Sequence, residues 1–300
     1  MSDSPAHYLV VNASASRARD ATFWRRRLSE VGISTRPWQG KPASGHAKLN
    51  RNDRLLVAGG DGTVRRYAPL CMATGATLGV LPSGTGNDFA RTLGVPIDPP
   101  EACRVIAGGR MREVDVGRLG GEIFLNVAHV GAGSGVAHDV DDASKRWWGR
   151  LSYLGAVVDQ ARRQRGFRAT ITCDGRRFHG RWLEIAIANG SSFGGGQRVF
   201  EADPGDGLLD VVAVRPRPLR ELTLLWLWTL LHRSLPRHDA LLVRRSDSCE
   251  IDAPHLHAVA ADGESLGTVP GRFTLLPHAL RVLVDKSTMT GLDHEPAAKS

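Results

Sequence analysis

Two short apolar runs, each emptying into a glycine-rich loop, constrain the fold of this chain more than any other feature. Residues 54–58 (RLLVA) end at Gly59-Gly60, and residues 77–81 (TLGVL) end at Pro82-Ser83-Gly84. Runs of four to six apolar residues bounded by turn signals read as buried strands. A similar run at 8–12 precedes them, and helical spacing at 22–31 and 87–93 alternates with them. Strands alternating with helices predict a three-layer α/β unit, in which ligands collect outside the carboxyl ends of the strands.

From about Gly117 the texture changes. Short β-like runs follow at 124–130, 169–173, 182–188, 208–214, 249–251 and 273–276, separated by Gly, Asp and Pro turns. This pattern predicts an antiparallel β-sandwich-like second domain. Helical stretches interrupt it near 151–163 and 219–231, and the tail beyond Asp285 is polar. The expected organisation is an α/β domain over 1–118, a β-rich domain over 119–285, and a tail over 286–300 that packs back on the first domain or stays unstructured.

Composition excludes some function classes. The cysteines Cys71, Cys103, Cys173 and Cys249 form no CxxC pair, which argues against a zinc site and a disulfide framework. The first residues carry no basic stretch followed by a long apolar one, so no signal peptide is expected. The most apolar segment, 222–231, is well short of the ~20 residues that span a bilayer. The formal net charge is +8, with arginine clusters at 25–27, 162–168 and 215–220. Such faces suit nucleotides or anionic membranes, or are simply solvated.

The glycine loops carry the first chemistry. In Gly59-Gly60-Asp61-Gly62-Thr63 small residues let the backbone approach phosphate oxygens, and successive N–H groups donate to them. Thr63 adds a hydroxyl and Asp61 a carboxylate suited to magnesium. Alone, such a segment is equally a tight turn. Ser83-Gly84-Thr85-Gly86-Asn87 also follows a strand and leads into a helix capped by Asn87 or Asp88, an anion-binding arrangement. Its spacing is neither a Rossmann nor a Walker-A fingerprint.

GGDGTV followed about twenty residues later by LGVLPSGTGNDFARTLGVP closely resembles the diacylglycerol kinase catalytic domain family. That family includes bacterial lipid kinases and sphingosine and ceramide kinases, and is distantly similar to NAD kinases. The resemblance continues through Phe124-Leu125-Asn126-Val127, the GRLSYL segment at 149–154, Ala188-Asn189-Gly190, Asp206-Gly207-Leu208-Leu209-Asp210 and Asp262-Gly263-Glu264. It implies two domains with the active site in the cleft between them, ATP as phosphate donor and Mg2+ as its metal. It also implies residue roles. Gly59, Gly60, Asp61, Gly62, Thr63, Ser83, Gly84, Thr85, Gly86 and Asn87 would cradle ATP phosphates, with Asn12 at the end of the first strand. Asp262 would be the general base toward the lipid hydroxyl, supported by Glu264. Asp206 and the Leu208 carbonyl would hold a structural magnesium, with Asp61 linked to that acidic network.

The implied activity is transfer of the ATP γ-phosphoryl to diacylglycerol or a related lipid. A sphingoid base or phosphatidylglycerol as acceptor, or a kinase-like sensor without turnover, stands as the alternative. Three departures mark this chain: Arg66 stands where the family usually has glutamate, the first-strand loop reads Asn12-Ala13-Ser14-Ala15-Ser16 where an NPxSG-like loop is usual, and the threonine expected near the start of the next loop has no clear place around Trp38. The implied location is cytoplasmic and peripheral at the inner membrane face, in contact with anionic lipid. No nucleic-acid partner is expected, and a homodimer is left open. Residues 219–235, apolar with Trp226 and Trp228 and flanked by arginines, read either as a helix packed on the β-rich domain, the favoured reading, or as one lying at a membrane interface.

Overall fold

The computed structural model describes residues 5–40, 49–131, 166–193, 197–198, 202–232 and 234–285. The segments expected at 149–154 and 151–163, the basic aromatic stretch at 145–150, and the tail beyond Asp285 lie outside them. The chain folds into two units.

The first unit draws on Met1–Gly84, Ala90–Glu113 and Leu280–Ser300. It opens with β1 (His7–Val11), α1 (Ala21–Glu30), β2 (Arg36–Pro37), β3 (Arg54–Gly59), α2 (Asp61–Thr74) and β4 (Thr77–Pro82). After α3 (Asp88–Thr92) comes α4 (Pro99–Gly108). β2, β1, β3 and β4 pair in that order, all parallel. Burial of β3 and β4 along almost their whole length explains why they read as continuous apolar runs. α1 is capped by Asp20, whose carboxylate accepts from the Phe23 N–H at 2.7 Å, and it buries Trp24 and Leu28.

The second unit draws on Thr85–Phe89 and Val114–Ala279. Its strands begin with β5 (Arg110–Leu119), β6 (Glu122–Phe124), β7 (Val127–Gly131), β8 (Phe167–Cys173), β9 (Arg176–Trp182) and β10 (Glu184–Ala188). The short pair β11 (Ser192–Phe193) and β12 (Gln197–Arg198) precedes β13 (Leu209–Val214). Then come α5 (Leu219–His232), β14 (Leu241–Ser246), β15 (Ser248–Asp252), β16 (His257–Ala261), β17 (Glu264–Val269) and β18 (Gly271–Val284).

One antiparallel sheet runs β14-β13-β10-β7-β16-β17. Facing it, the first residues of β18 pair with β15, β15 with β8, and β8 with β9. A single apolar core, including Phe124, Trp182, Ile185, Val211, Ile251 and Phe273, fills the space between these sheets. The last residues of β18 belong to the first unit, where Val282 pairs parallel with Leu78 of β4.

Two apolar runs read as unbroken are interrupted. The run at 124–130 leaves strand pairing at Leu125 and Asn126, whose N–H groups donate to the Asp262 side chain. The run at 182–188 breaks at Leu183, whose N–H turns to the Val214 carbonyl at 2.7 Å. The helix α2 has no counterpart in the sequence reading. Pro69 inside it and its weak apolar stripe hide it.

Candidate functional site

In the first unit the carboxyl ends of β1, β3 and β4 bring together residues far apart in the chain. The Asn12 N–H donates to the Ala58 carbonyl at 2.9 Å, and its side-chain amide donates to the Thr63 hydroxyl at 2.8 Å. Ser83 donates its N–H to the Gly59 carbonyl at 3.0 Å, and its own carbonyl accepts from Arg17 N at 3.0 Å. Glycine is required here. A Cβ on Gly59 would stand 2.6 Å from the Thr63 Cβ, and one on Gly60 would stand 3.1 Å from the Gly84 Cα. Asn12, Gly59, Gly60, Thr63, Ser83 and Gly84 thus form one cradle of backbone and hydroxyl groups.

The helix at this cradle is α2. It begins at Asp61 directly after Gly60, which supplies no side-chain cap, so the first-turn amides of Gly62 and Thr63 form the positive end of a fourteen-residue helix. The sequence reading took Gly59–Thr63 as a phosphate loop and placed an anion-binding helix start after Asn87 as well. There α3 is five residues long, and Asn87 precedes it with φ +53° and is buried. Thr85, Gly86 and Asn87 group with the second unit. Arg66 is exposed on α2.

In the second unit Asp262 and Gly263 form the two-residue turn between β16 and β17, with φ +51° and +83°, and Glu264 opens β17 opposite Ala261. The Asp262 carboxylate accepts the Leu125 N–H at 2.7 Å on one oxygen and the Asn126 N–H at 3.0 Å on the other. Two consecutive backbone donors fix the plane of this side chain. The segment that holds it is held in turn by Asn189, which is fully buried. The Asn189 side-chain amide donates at 2.9 Å to both the Asp115 and the Leu125 carbonyls. Its N–H donates to the Asn126 carbonyl at 2.7 Å.

Asp115 is the functional-site residue that sequence reasoning missed. Buried in β5, its carboxylate accepts the Gly207 N–H at 2.9 Å and the His278 N–H at 2.8 Å. It therefore anchors the Asp206–Asp210 loop. Its one signal was a carboxylate set between Val114 and Val116, in a strand that also carries Arg110, Arg112, Glu113 and Arg118.

Asp206 is engaged as an ion-pair partner. One of its oxygens accepts the Leu208 N–H at 2.9 Å and the other is bound by the Arg245 guanidinium, which also reaches Asp210 at 2.9 Å through Nε. Burial pushes the Asp206 carboxyl above the usual aspartate range, while the Leu208 N–H and Arg245 hold it down. The structural magnesium that family likeness implies at Asp206 and the Leu208 carbonyl would need this carboxylate to exchange Arg245 for the ion. Among the described residues no group of three or more His, Cys, Asp or Glu is arranged to hold one. Asp61 lies in the first unit, at the start of α2.

The cysteines contribute no nucleophile to either region. Burial pushes the Cys71 thiol up to about 12 and the Cys103 thiol up to about 11. Cys173 and Cys249, distant in sequence, stand opposite each other on β8 and β15, both buried.

Known proteins share both halves of this chain. Residues 7–119 match the diacylglycerol kinase catalytic domain. Residues 126–284 match the YegS C-terminal NAD kinase beta sandwich-like domain. A Pseudomonas fluorescens protein named "Probable lipid kinase YegS-like" is 35% identical over 288 residues, covering 93% of this chain and 92% of that one. The Bacillus subtilis protein named "Diacylglycerol kinase" is 29% identical over 258 residues, covering 84% of each. In fold, a solved diacylglycerol kinase from Bacillus anthracis str. Sterne superposes with a TM-score of 0.72 at 21% identity, over 94% of this chain and 98% of that one. A second solved chain from that organism gives 0.78 at 23% identity. Matched along both units, with a relative above 30% identity spanning nearly its whole length, this chain belongs to the family of YegS-like lipid kinases and diacylglycerol kinases.

Proposed function

We propose that this protein transfers the γ-phosphoryl of ATP to a hydroxyl of diacylglycerol or a closely related lipid. The observation that carries the reading is the cradle at the carboxyl ends of β1, β3 and β4. There a Cβ on Gly60 would press within 3.1 Å of the Gly84 Cα, and the first-turn amides of α2 face the same end. Backbone donors at a helix N-terminus suit the oxygens of a nucleotide phosphate. Phosphoryl transfer demands mainly positioning and charge neutralisation, which such a cradle supplies. Magnesium enters this scheme with ATP as part of the substrate.

The second half of the proposal concerns the acceptor. Asp262 takes the proton from the lipid hydroxyl as the phosphoryl group arrives, and Glu264, two residues on, supports Asp262 or the metal that comes with ATP. The orientation of Asp262 by two main-chain N–H groups supports this role, because a base must be held in fixed geometry toward the proton it removes. Transfer from ATP, the acceptor and the role of Asp262 are tested together by one experiment. Transfer of labelled γ-phosphate from ATP with magnesium to a panel of lipids in mixed micelles is compared between wild type and Asp262→Asn. The expected result is a labelled lipid from wild type and a rate about a hundredfold or more lower in the variant. Wild-type protein that labels no lipid overturns the kinase reading. A variant as fast as wild type removes Asp262 as the base.

A further inference from the structure

The helix α5 turns an apolar stripe to solvent. Leu224 is 66% exposed, Leu227 42%, Trp228 49% and Leu231 79%. These positions recur at i, i+3, i+4 and i+7, one face of an α-helix, and Arg220 continues the stripe as an exposed cation one turn earlier. Leu222, on another face, is buried. The Trp228 ring lies against His232, with centroids 4.0 Å apart. Thr223 and Thr229 satisfy their hydroxyls within the helix, on the Leu219 and Leu225 carbonyls at 2.9 Å, so no polar group off the stripe asks for a partner on it.

A contiguous exposed apolar face of this kind marks an interaction surface. The charge around it selects the occupant. Residues 215–238 contain five arginines and one carboxylate, Glu221. Of these arginines, Arg217 is paired with Asp239 and Arg215 lies over the Trp182 ring, while Arg220 and Arg237 are exposed. Leucines and tryptophan on one face with arginines along the flank match the chemistry of an anionic bilayer interface, in which apolar side chains enter the headgroup–acyl boundary and guanidinium groups meet phosphates. A two-fold pairing of the same face between two copies would instead concentrate these arginines against each other. At fourteen residues, or about 21 Å, the helix is too short to cross a bilayer. No helix among the described residues is long and apolar enough to do so.

We infer that α5 is a membrane-docking helix, lying in the plane of an anionic bilayer with Leu224, Leu227, Trp228 and Leu231 immersed and Arg220 at headgroup level. The choice of a bilayer as occupant is reinforced by the lipid-kinase reading above. This docking reverses the packed-helix reading favoured by sequence for residues 219–235. Of the two tryptophans, it gives the membrane contact to Trp228, since Trp226 is only half-exposed.

The test is cosedimentation of the full chain with vesicles of phosphatidylcholine, with and without phosphatidylglycerol, comparing wild type, Leu224→Ser/Leu231→Ser and Arg220→Glu. Both leucines are exposed, so the double variant is expected to melt with wild type. Wild type is expected to sediment with the phosphatidylglycerol vesicles. The double variant should lose binding by roughly tenfold or more, because two leucine side chains no longer leave water. Arg220→Glu should weaken binding to anionic vesicles alone, and brominated lipid should quench wild-type fluorescence more than that of Trp228→Phe.

Equal sedimentation of wild type and the double variant overturns the inference. So does gel filtration showing a wild-type dimer that the double variant dissolves while vesicle binding persists. Phosphate transfer measured on the same samples keeps the two readings apart. Helix-dependent binding without transfer to any lipid removes the kinase reading and leaves the docking helix. Transfer with helix-independent binding does the reverse.

Discussion

The two functional regions are built on opposite plans. In the first unit the proposed phosphate cradle is mainly backbone geometry: glycines and helix amides, with the Asn12 side chain on Thr63. In the second unit the Asp262 region is a relay of side chains reaching main chain across long stretches of sequence. Asp262 meets Leu125 from 137 residues away, and Asn189 meets Asp115 from 74 residues away. A cradle of backbone depends on what is missing from its side chains. A relay depends on each member being present, because a buried donor or acceptor left unmatched carries its full desolvation cost.

The largest effect expected from this contrast is at Asn189. Asn189→Ala strips the donors from two buried carbonyls, those of Asp115 and Leu125, and should cost about 2–4 kcal/mol of stability in urea unfolding. A loss well under 1 kcal/mol would show that the relay closes without it. In the cradle, Gly60→Val has the opposite signature. A side chain 3.1 Å or less from the Gly84 Cα parts the two loops, raising the KM for ATP roughly tenfold while the melting temperature moves by only a few degrees. If stability collapses and KM does not move, the two regions are not built differently after all.

The smallest expected effect is at Arg245, whose partly exposed pairs with Asp206 and Asp210 are worth about 1 kcal/mol. Arg245→Ala should also change the pH dependence. The Asp206 carboxyl titrates above its ordinary value in the folded protein, so this group's contribution is present below that ordinary value and is lost as pH rises through the folded one. Removing Arg245 raises the folded value further. The variant should therefore lose stability with rising pH over a window that starts at the ordinary aspartate value and reaches higher than in wild type, as read by melting curves across mildly acidic pH.

What sequence revealed follows the same division. Gly59 to Thr63 and Ser83 with Gly84 are contiguous, and their chemistry is that of the main chain, so the segments were legible, and family likeness turned them from tight turns into a phosphate reading. Asp262 and Glu264 were legible through family likeness. The contacts that orient Asp262 were not, because Leu125 and Asn126 sit inside what reads as an apolar strand and act through N–H groups that every residue carries. Asp115 sits among charged residues, after Arg112 and Glu113, and Asn189 stands just past the end of β10, before Gly190, and only the fold shows where their hydrogen bonds go. β1, β3, β4, β7, β8, β10, β13, β15 and β18 were legible from apolar runs, while β5, β9 and β14, with arginines along them, and β16 and β17, short and rich in small residues, were not. α2 was not, since Pro69 and a weak stripe break the helical pattern, and the exposed face of α5 was not, since a leucine-rich helix reads the same buried or bare.

The last strand has a consequence for synthesis. The closing residues of β18 complete the parallel sheet beside β4, yet they follow Glu113 only after the whole second unit has been made. At roughly 5–20 residues per second, the nascent first unit waits on the order of ten to thirty seconds with the flank of β4 unpaired by that strand. The unit that comes first in the sequence is the one finished last, so synthesis through the end of β18, rather than emergence of the first half, sets when its parallel sheet is whole.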